Sequence, residues 1–289
     1  MIDPFAPECL QQLQRMVSES AHPSYLLIDG VFLPAIQPLL AGWSSSITDQ
    51  HALFSDRANG NAETLAASPW LLPCADQDAA VSQLLTACER LPAVTLIRSP
   101  SNIATLLARL KRWTVVNCDG MHFNFRYPDT RRLPGIHGVM TDQQRHALFE
   151  EDAWSYIGRD GRWHHLPTTP PSSATHPKAA DGWGDPELTD TQFAALLADS
   201  EPDEQLAAVW QDLPDDAPAR TTALPSQVHE WTVCALAHAD RLNIADMPER
   251  TRLCAWVLSG DPKTRLTTLM QQAEWPTSAL EDDLLREGV

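Results

Sequence analysis

The sequence predicts an α+β protein: a mixed α/β N-terminal lobe with a sheet and hairpins, then a smaller all-α C-terminal lobe. Three observations carry this. Short apolar and β-branched runs alternate with helical periodicities as far as residue 165. A stretch rich in Pro, Ser, Thr and Gly, "PTTPPSSATHPKAADGWGDP", fills 167–186. Beyond it only helical spacings occur. The expected organisation is therefore a mixed lobe over 1–166, a linker or long surface loop over 167–186, and a helical lobe over 187–289. A chain of 289 residues, 43% hydrophobic and 20% charged, can build two cores.

"ECLQQLQRMV" spaces its apolar residues as a short amphipathic helix. "SYLLIDG" (24–30) reads as a strand buried on both faces and closed by an Asp-Gly turn. "VFLPAIQPLLAG" returns to helical spacing through Leu33, Ile36 and Leu39/Leu40, with Pro34 in the first turn and Gly42 as the stop. "SPWLLPC" (68–74) is a short strand, 76–91 a helix, and "AVTLIRS" (93–99) a third strand. Ser99-Pro100 is read as the cap and first position of the helix "SNIATLLARLKR". Two β-runs around Asp119-Gly120 form a hairpin, and two more flank Asp160-Gly161. Thr141 with Gln144, and Thr189 with Gln192, have capping-box spacing. In the helical lobe, "EQLAAVWQDL" continues the helix that Thr189 opens. A stripe through Val228, Trp231, Cys234/Ala235 and Ala239/Leu242 marks another helix. "MPERTRLCAWVLSG", the segment opened by Asp261-Pro262, and a last one opened by Thr277 complete the set.

The bulk composition excludes several function classes. No run of about 18 apolar residues crosses a bilayer, and "MIDPFAPECLQQ" lacks the basic and apolar regions of a secretory signal. A cytoplasmic protein is expected. The six cysteines, at 9, 74, 88, 118, 234 and 254, form no CxxC and read as small buried hydrophobes in a reducing compartment. The net charge of -17 argues against binding nucleic acid.

No cofactor fingerprint and no metal-ligand spacing is present. His164 and His165, adjacent on a strand, point to opposite faces and cannot chelate together. His146 and His229 read as helix-boundary residues. Cys118-Asp119 is accounted for by the hairpin turn. Asp29 is read as a strand-ending turn residue, with the functional carboxylate of an α/β enzyme at a strand's C-terminal end as the alternative. Among the tryptophans, Trp183 in the Pro/Gly stretch is the one expected to be exposed, as a docking anchor.

Charge is unevenly spread. Residues 187–289 hold 19 acids against 7 bases, whereas 98–132 hold seven bases (Arg98, Arg109, Lys111, Arg112, Arg126, Arg131, Arg132) against two acids. Arg126 and Asp129 can pair across the corner in "FNFRYPDTRRL". Arg131 and Arg132, beyond the turn, are expected to be solvated. With Arg109, Lys111 and Arg112 they would form a basic face, suited to an acidic protein or to the chain's own acidic helical lobe.

The ordered set "YLLIDGVFLP", Leu53-Phe54, "SPWLL", "LLARLKRW", "DGMHFNFRYPDTRRL" and a Trp-rich hairpin resembles the effector-adaptor family of the bacterial type VI secretion system, the domain of unknown function 4123. The resemblance covers roughly residues 24–165. Arg126, Asp129 and Arg131 match the family's corner of Phe-Arg-aromatic-aromatic-Asp-Pro-Arg, while Pro128 stands ahead of the aspartate here. The resemblance implies a cytoplasmic adaptor or chaperone with no catalysis of its own. Its expected partners are a secreted effector (toxin) and the spike protein. The candidate partner-binding residues are Arg126, Asp129 and Arg131, which match the family's corner, together with Arg132, Arg109 and Arg112 from the basic face and Trp183 from the Pro/Gly stretch; no cofactor, metal, nucleic acid or membrane is expected. Two other classes stay open on the residues alone: an immunity protein that neutralises a toxin, and a hydrolase using Asp29, Cys118 or a histidine.

Overall fold

A computed structural model describes the chain except for residues 34–35, 42, 44–46, 60, 75–77, 169–184 and 272–289. It divides into two compact units, Met1–Leu196 and Leu197–Val289. Helices and an antiparallel sheet make up the first, and the described part of the second is helical.

The sheet of the first unit is built from β1 (Ser24–Asp29), β2 (Pro69–Pro73) and β3 (Val94–Arg98). A two-stranded ribbon follows, β4 (Val115–Cys118) and β5 (Met121–Asn124), and then the hairpin β6 (Ala153–Ile157) and β7 (Trp163–His165). The large sheet runs β2-β1-β3-β6-β7, and every neighbouring pair is antiparallel. All six residues of β1 are buried, because helices or loops cover both faces. Its side chains alternate between two cores. Leu26 and Ile28 join Trp70, Leu72, Val94 and Leu96 under the helices Cys9–Ser18 and Asp78–Ala87. Tyr25 and Leu27 join Leu71, Ile97 and Trp154 under the helix Ile103–Arg112. This period of two explains why a central strand reads as an unbroken apolar run. Each large side chain so buried contributes about 1.5–3 kcal/mol.

Asp119 and Gly120 both have positive φ (49° and 75°), the backbone of a tight two-residue hairpin loop. The outer side of β4 is paired as well: Asn117 N–H donates to Pro186 O, and Leu188 N–H to Asn117 O, each at 2.8 Å. Gly161 (φ 69°) is required at the second hairpin, since a Cβ there would lie 2.1 Å from Pro4 O. The N-terminal segment is bound at that point through Ala6 N–H to Gly161 O (2.9 Å) and Asp3 N–H to Arg159 O (2.8 Å).

Some local expectations change. The helix over 103–112 is capped by Asn102, whose side chain accepts from Thr105 N–H at 3.0 Å. Ser99 instead ends the strand and accepts from Ser101 N–H. β5 stops at Asn124, so Phe125 and Arg126 lie past it in the corner, and only one more bond, Phe125 N–H to Thr114 O, extends the pairing. Pro34, Gly42 and the helix expected from Thr277 lie outside the described residues.

In the second unit the helices Pro225–Arg241, Met247–Ser259 and Pro262–Gln271 share a core that includes Val228, Leu236, Leu253, Cys254, Val257 and Leu269. Arg250, buried, ties three segments together. Its guanidinium donates to Glu201 at 2.9 Å, to Asp240 at 2.7 Å and to the Ile244 carbonyl at 3.0 Å.

Candidate functional site

The corner after β5 meets the end of β1. Asp29 closes its strand with N–H donation to Ala93 O, and its Oδ1 accepts from Val31 N–H at 3.1 Å. The chain can turn there because residue 30 is glycine: a Cβ would sit 2.2 Å from Ser68 O and 2.7 Å from Ala66 O. This brings the other carboxylate oxygen, Oδ2, to 2.7 Å from Nη2 of Arg126. Asp29 is thus the turn residue that the sequence reading made it, and in addition the ion-pair partner of Arg126, a pairing the sequence did not suggest.

A reverse turn closed by Asp129 N–H to Arg126 O (3.1 Å) carries the chain from Arg126 to Asp129. Asp129 does not chiefly pair with Arg126, whose Nη2 is 3.9 Å away. It takes a fork from Arg131 instead, with Nε at 3.0 Å and Nη2 at 2.8 Å, and also accepts from Arg131 N–H at 3.1 Å. Arg131 is therefore not solvated as expected; its side chain is 16% exposed. A two-residue separation lets a planar guanidinium meet its carboxylate edge to edge. The guanidinium carbons of Arg126 and Arg131 lie 5.5 and 5.1 Å from the ring centroid of Phe32, a side chain absent from the sequence-based candidates.

Burial in the corner is asymmetric. Asp29 and Asp129 are 1% and 3% exposed, whereas the Arg126 side chain is 41% exposed. Burial pushes the Asp29 carboxyl above its ordinary range, with Arg126 and the Val31 N–H acting against it. The acids lie beneath, and a cation faces out.

A second ion cluster lies across Tyr127. That side chain is fully buried, donates to Leu110 O at 2.9 Å, and packs edge-on to Trp154. On its far side Arg109 pairs with Asp152 and Glu150. Burial lowers the Arg109 pKa and raises that of Asp152, each opposed by the other's charge. Arg109 is 8% exposed, so its expected place in a basic face is overturned: its side chain is taken up by Asp152 and Glu150. Lys111 is also engaged, with Ser55 at 2.7 Å and Asp56 at 3.1 Å. Arg112 is half-buried at the end of that helix. Arg132 is half-buried at the N-cap position of the helix Leu133–Val139, which corrects the expectation of a solvated side chain. Trp183 lies outside the described residues. The expected continuous basic face is thus divided among separate carboxylates, and the Arg126 side chain is more open than those of Arg109, Lys111 and Arg131. Asp152 was missed because nothing in "EEDAW" marks the buried acid; Phe32 was missed because it reads as one more helix-spaced apolar residue.

The other candidates stay apart. His164 Nε2 is 2.8 Å from Asp160, and His165 Nδ1 is 2.8 Å from Ser155, two faces as the strand geometry requires. Cys118 Sγ lies 3.6 Å from Asp190. His146 and His229 are half-buried. Among the described residues no group of three or more His, Cys, Asp or Glu could hold a metal ion. Among them, too, no helix is long and apolar enough to cross a membrane.

The fold and the site together define a class: an α+β unit whose buried aspartates anchor arginines at a surface corner. Residues 24–147 match the family model described as Domain of unknown function (DUF4123). The match includes Asp29, Phe32, Arg109, Arg126, Asp129 and Arg131. Neither the curated proteins nor the solved structures contain a match to the chain.

Proposed function

We propose that the protein is a non-enzymatic adaptor, or chaperone, that binds a type VI secretion effector in the cytoplasm and loads it onto the spike protein. The observation that carries this reading is the DUF4123 match over 24–147, which contains the arginine corner and all but the last, the Trp-rich hairpin, of the ordered motifs that resemble the effector-adaptor family. The corner supports it physically. A short ion pair with Asp29 and the ring of Phe32 hold a half-exposed arginine, Arg126, in one orientation, and a pre-ordered side chain loses little entropy when a partner docks.

The test is capture of the tagged protein from its native cytoplasm, with mass spectrometry of what comes down. Recovery of a spike protein together with a toxin-like protein is the expected result. Recovery of a toxin alone would replace the adaptor with an immunity protein. Recovery of neither would move attention to hydrolysis.

A further inference from the structure

Arg126 has a bound edge and an open one. Nη2 is held by Asp29, and the guanidinium lies over Phe32. Its other N–H donors have no hydrogen-bond partner among the described residues, and the side chain is 41% exposed. On the same carboxylate sits the backbone N–H of Val31, an apolar residue that is 44% exposed. The two are neighbours by construction: Val31 N–H and Arg126 Nη2 hold the two oxygens of one carboxylate. The acids that balance the charge, Asp29 and Asp129, are 1% and 3% exposed, so the cation is what an approaching molecule meets. A guanidinium with a free edge takes a carboxylate, and an apolar side chain at its rim excludes water from that contact.

We infer that the Asp29–Arg126 corner is a docking site for an acidic protein segment, with an Asp or Glu carboxylate on the open edge of Arg126 and an adjacent apolar side chain on Val31 and Phe32. This deepens the adaptor reading by naming the chemistry of the partner's segment, and it rests on that reading for biological meaning only. Loss of Arg126 itself would strand Asp29 and risk unfolding, so the decisive variants are at Val31. Val31→Glu supplies a competing carboxylate beside Arg126, and Val31→Lys removes the same apolar surface without one.

The experiment is an array of seven-residue peptides with a central Asp or Glu flanked by leucines, printed beside the matching Asn and Gln peptides. The full-length protein should bind the carboxylate spots about tenfold or more over the amide spots. Val31→Glu should abolish that preference and Val31→Lys should keep it, with the thermal unfolding of both variants unchanged. Equal binding to acid and amide spots overturns the inference. So does equal loss in both variants, which would place the contact on the apolar surface alone. Failure to capture a spike protein from cytoplasm would sink the adaptor reading and leave this result standing, because the array reads only the corner.

Discussion

At the residue scale, the Asp29–Arg126 pair is unequal. Its acid is 1% exposed and its base 41%. Removing the base strands a buried charge; removing the acid leaves a guanidinium already in water. Arg126→Ala should therefore cost about 3 kcal/mol at neutral pH, and Asp29→Ala about half of that. The Asp29 pKa is raised by burial against the pull of Arg126, and losing Arg126 raises it further. The folded state then holds the proton more tightly than the unfolded chain. Stability of Arg126→Ala therefore falls as pH rises from the ordinary carboxylate value through the folded-state value. The deficit against wild type is full above that window and closes below it. Urea titrations of both proteins across the window check this, and parallel curves would refute it. Gly30→Ala tests the close approach beneath the pair. Its Cβ would meet two backbone oxygens that cannot rotate away, so a loss of about 2 kcal/mol is expected in the same titration.

At the element scale, two capping boxes are joined. Thr141 and Gln144 cap one helix, and Thr189 and Gln192 another. Gln192 Nε2 also donates to Gln144 Oε1 at 2.7 Å and to Val139 O at 2.9 Å, while Gln144 Nε2 donates to Glu187 O at 2.7 Å. The glutamines thus bind the chain after residue 185 to the helix that begins at Asp142. A lone cap is worth about 1 kcal/mol. Here Gln144→Ala and Gln192→Ala should each exceed that, and a double-mutant cycle should show coupling of about 1 kcal/mol. Strictly additive losses would mean that the boxes act separately. The hairpin turn gives a simpler case. Gly120 has φ 75° and nothing near its Cβ position, so Gly120→Ala should cost about 1 kcal/mol from backbone conformation alone.

At the scale of the whole molecule, the thiols report the packing. Cys9, Cys74, Cys88, Cys118 and Cys254 are buried and Cys234 is exposed, so the reading of all six as buried hydrophobes fails at one position. Burial pushes Cys9 up to about 11 and Cys74, Cys88 and Cys254 up to about 12. A thiol reagent at neutral pH should therefore label one cysteine quickly in the native protein and all six only in denaturant. Fast labelling of a second cysteine would show that one of these cores opens. The expected stripe of Pro225–Arg241 had included Cys234; in the structure the buried face runs through Val228, Thr232, Ala235, Leu236 and Ala239, and Val233 and Cys234 lie outside it.

The sequence by itself determined the elements and their punctuation. It determined the strands by apolar runs, the hairpins by Asp-Gly pairs, the capping boxes by three-residue spacing, and the change to an all-helical region by the end of strand signals. These are local properties, set by sterics and hydrogen bonding within a few residues. The corner "FNFRYPDTRRL" was visible as an arginine cluster, but its pairing was not. Asp129 was expected to hold Arg126; it stays 3.9 Å from that side chain but binds Arg131 more closely, at 2.8 Å, and the short pair of Arg126 is with Asp29, 97 positions earlier. Arg109 looked like part of a surface and reaches Asp152 in the interior. Only the tertiary structure decided the two long-range partners, Asp29 for Arg126 and Asp152 for Arg109. A buried charge takes whichever opposite charge the strand order brings within about 3 Å, and strand order is set by packing across the sheet, not by neighbours along the chain.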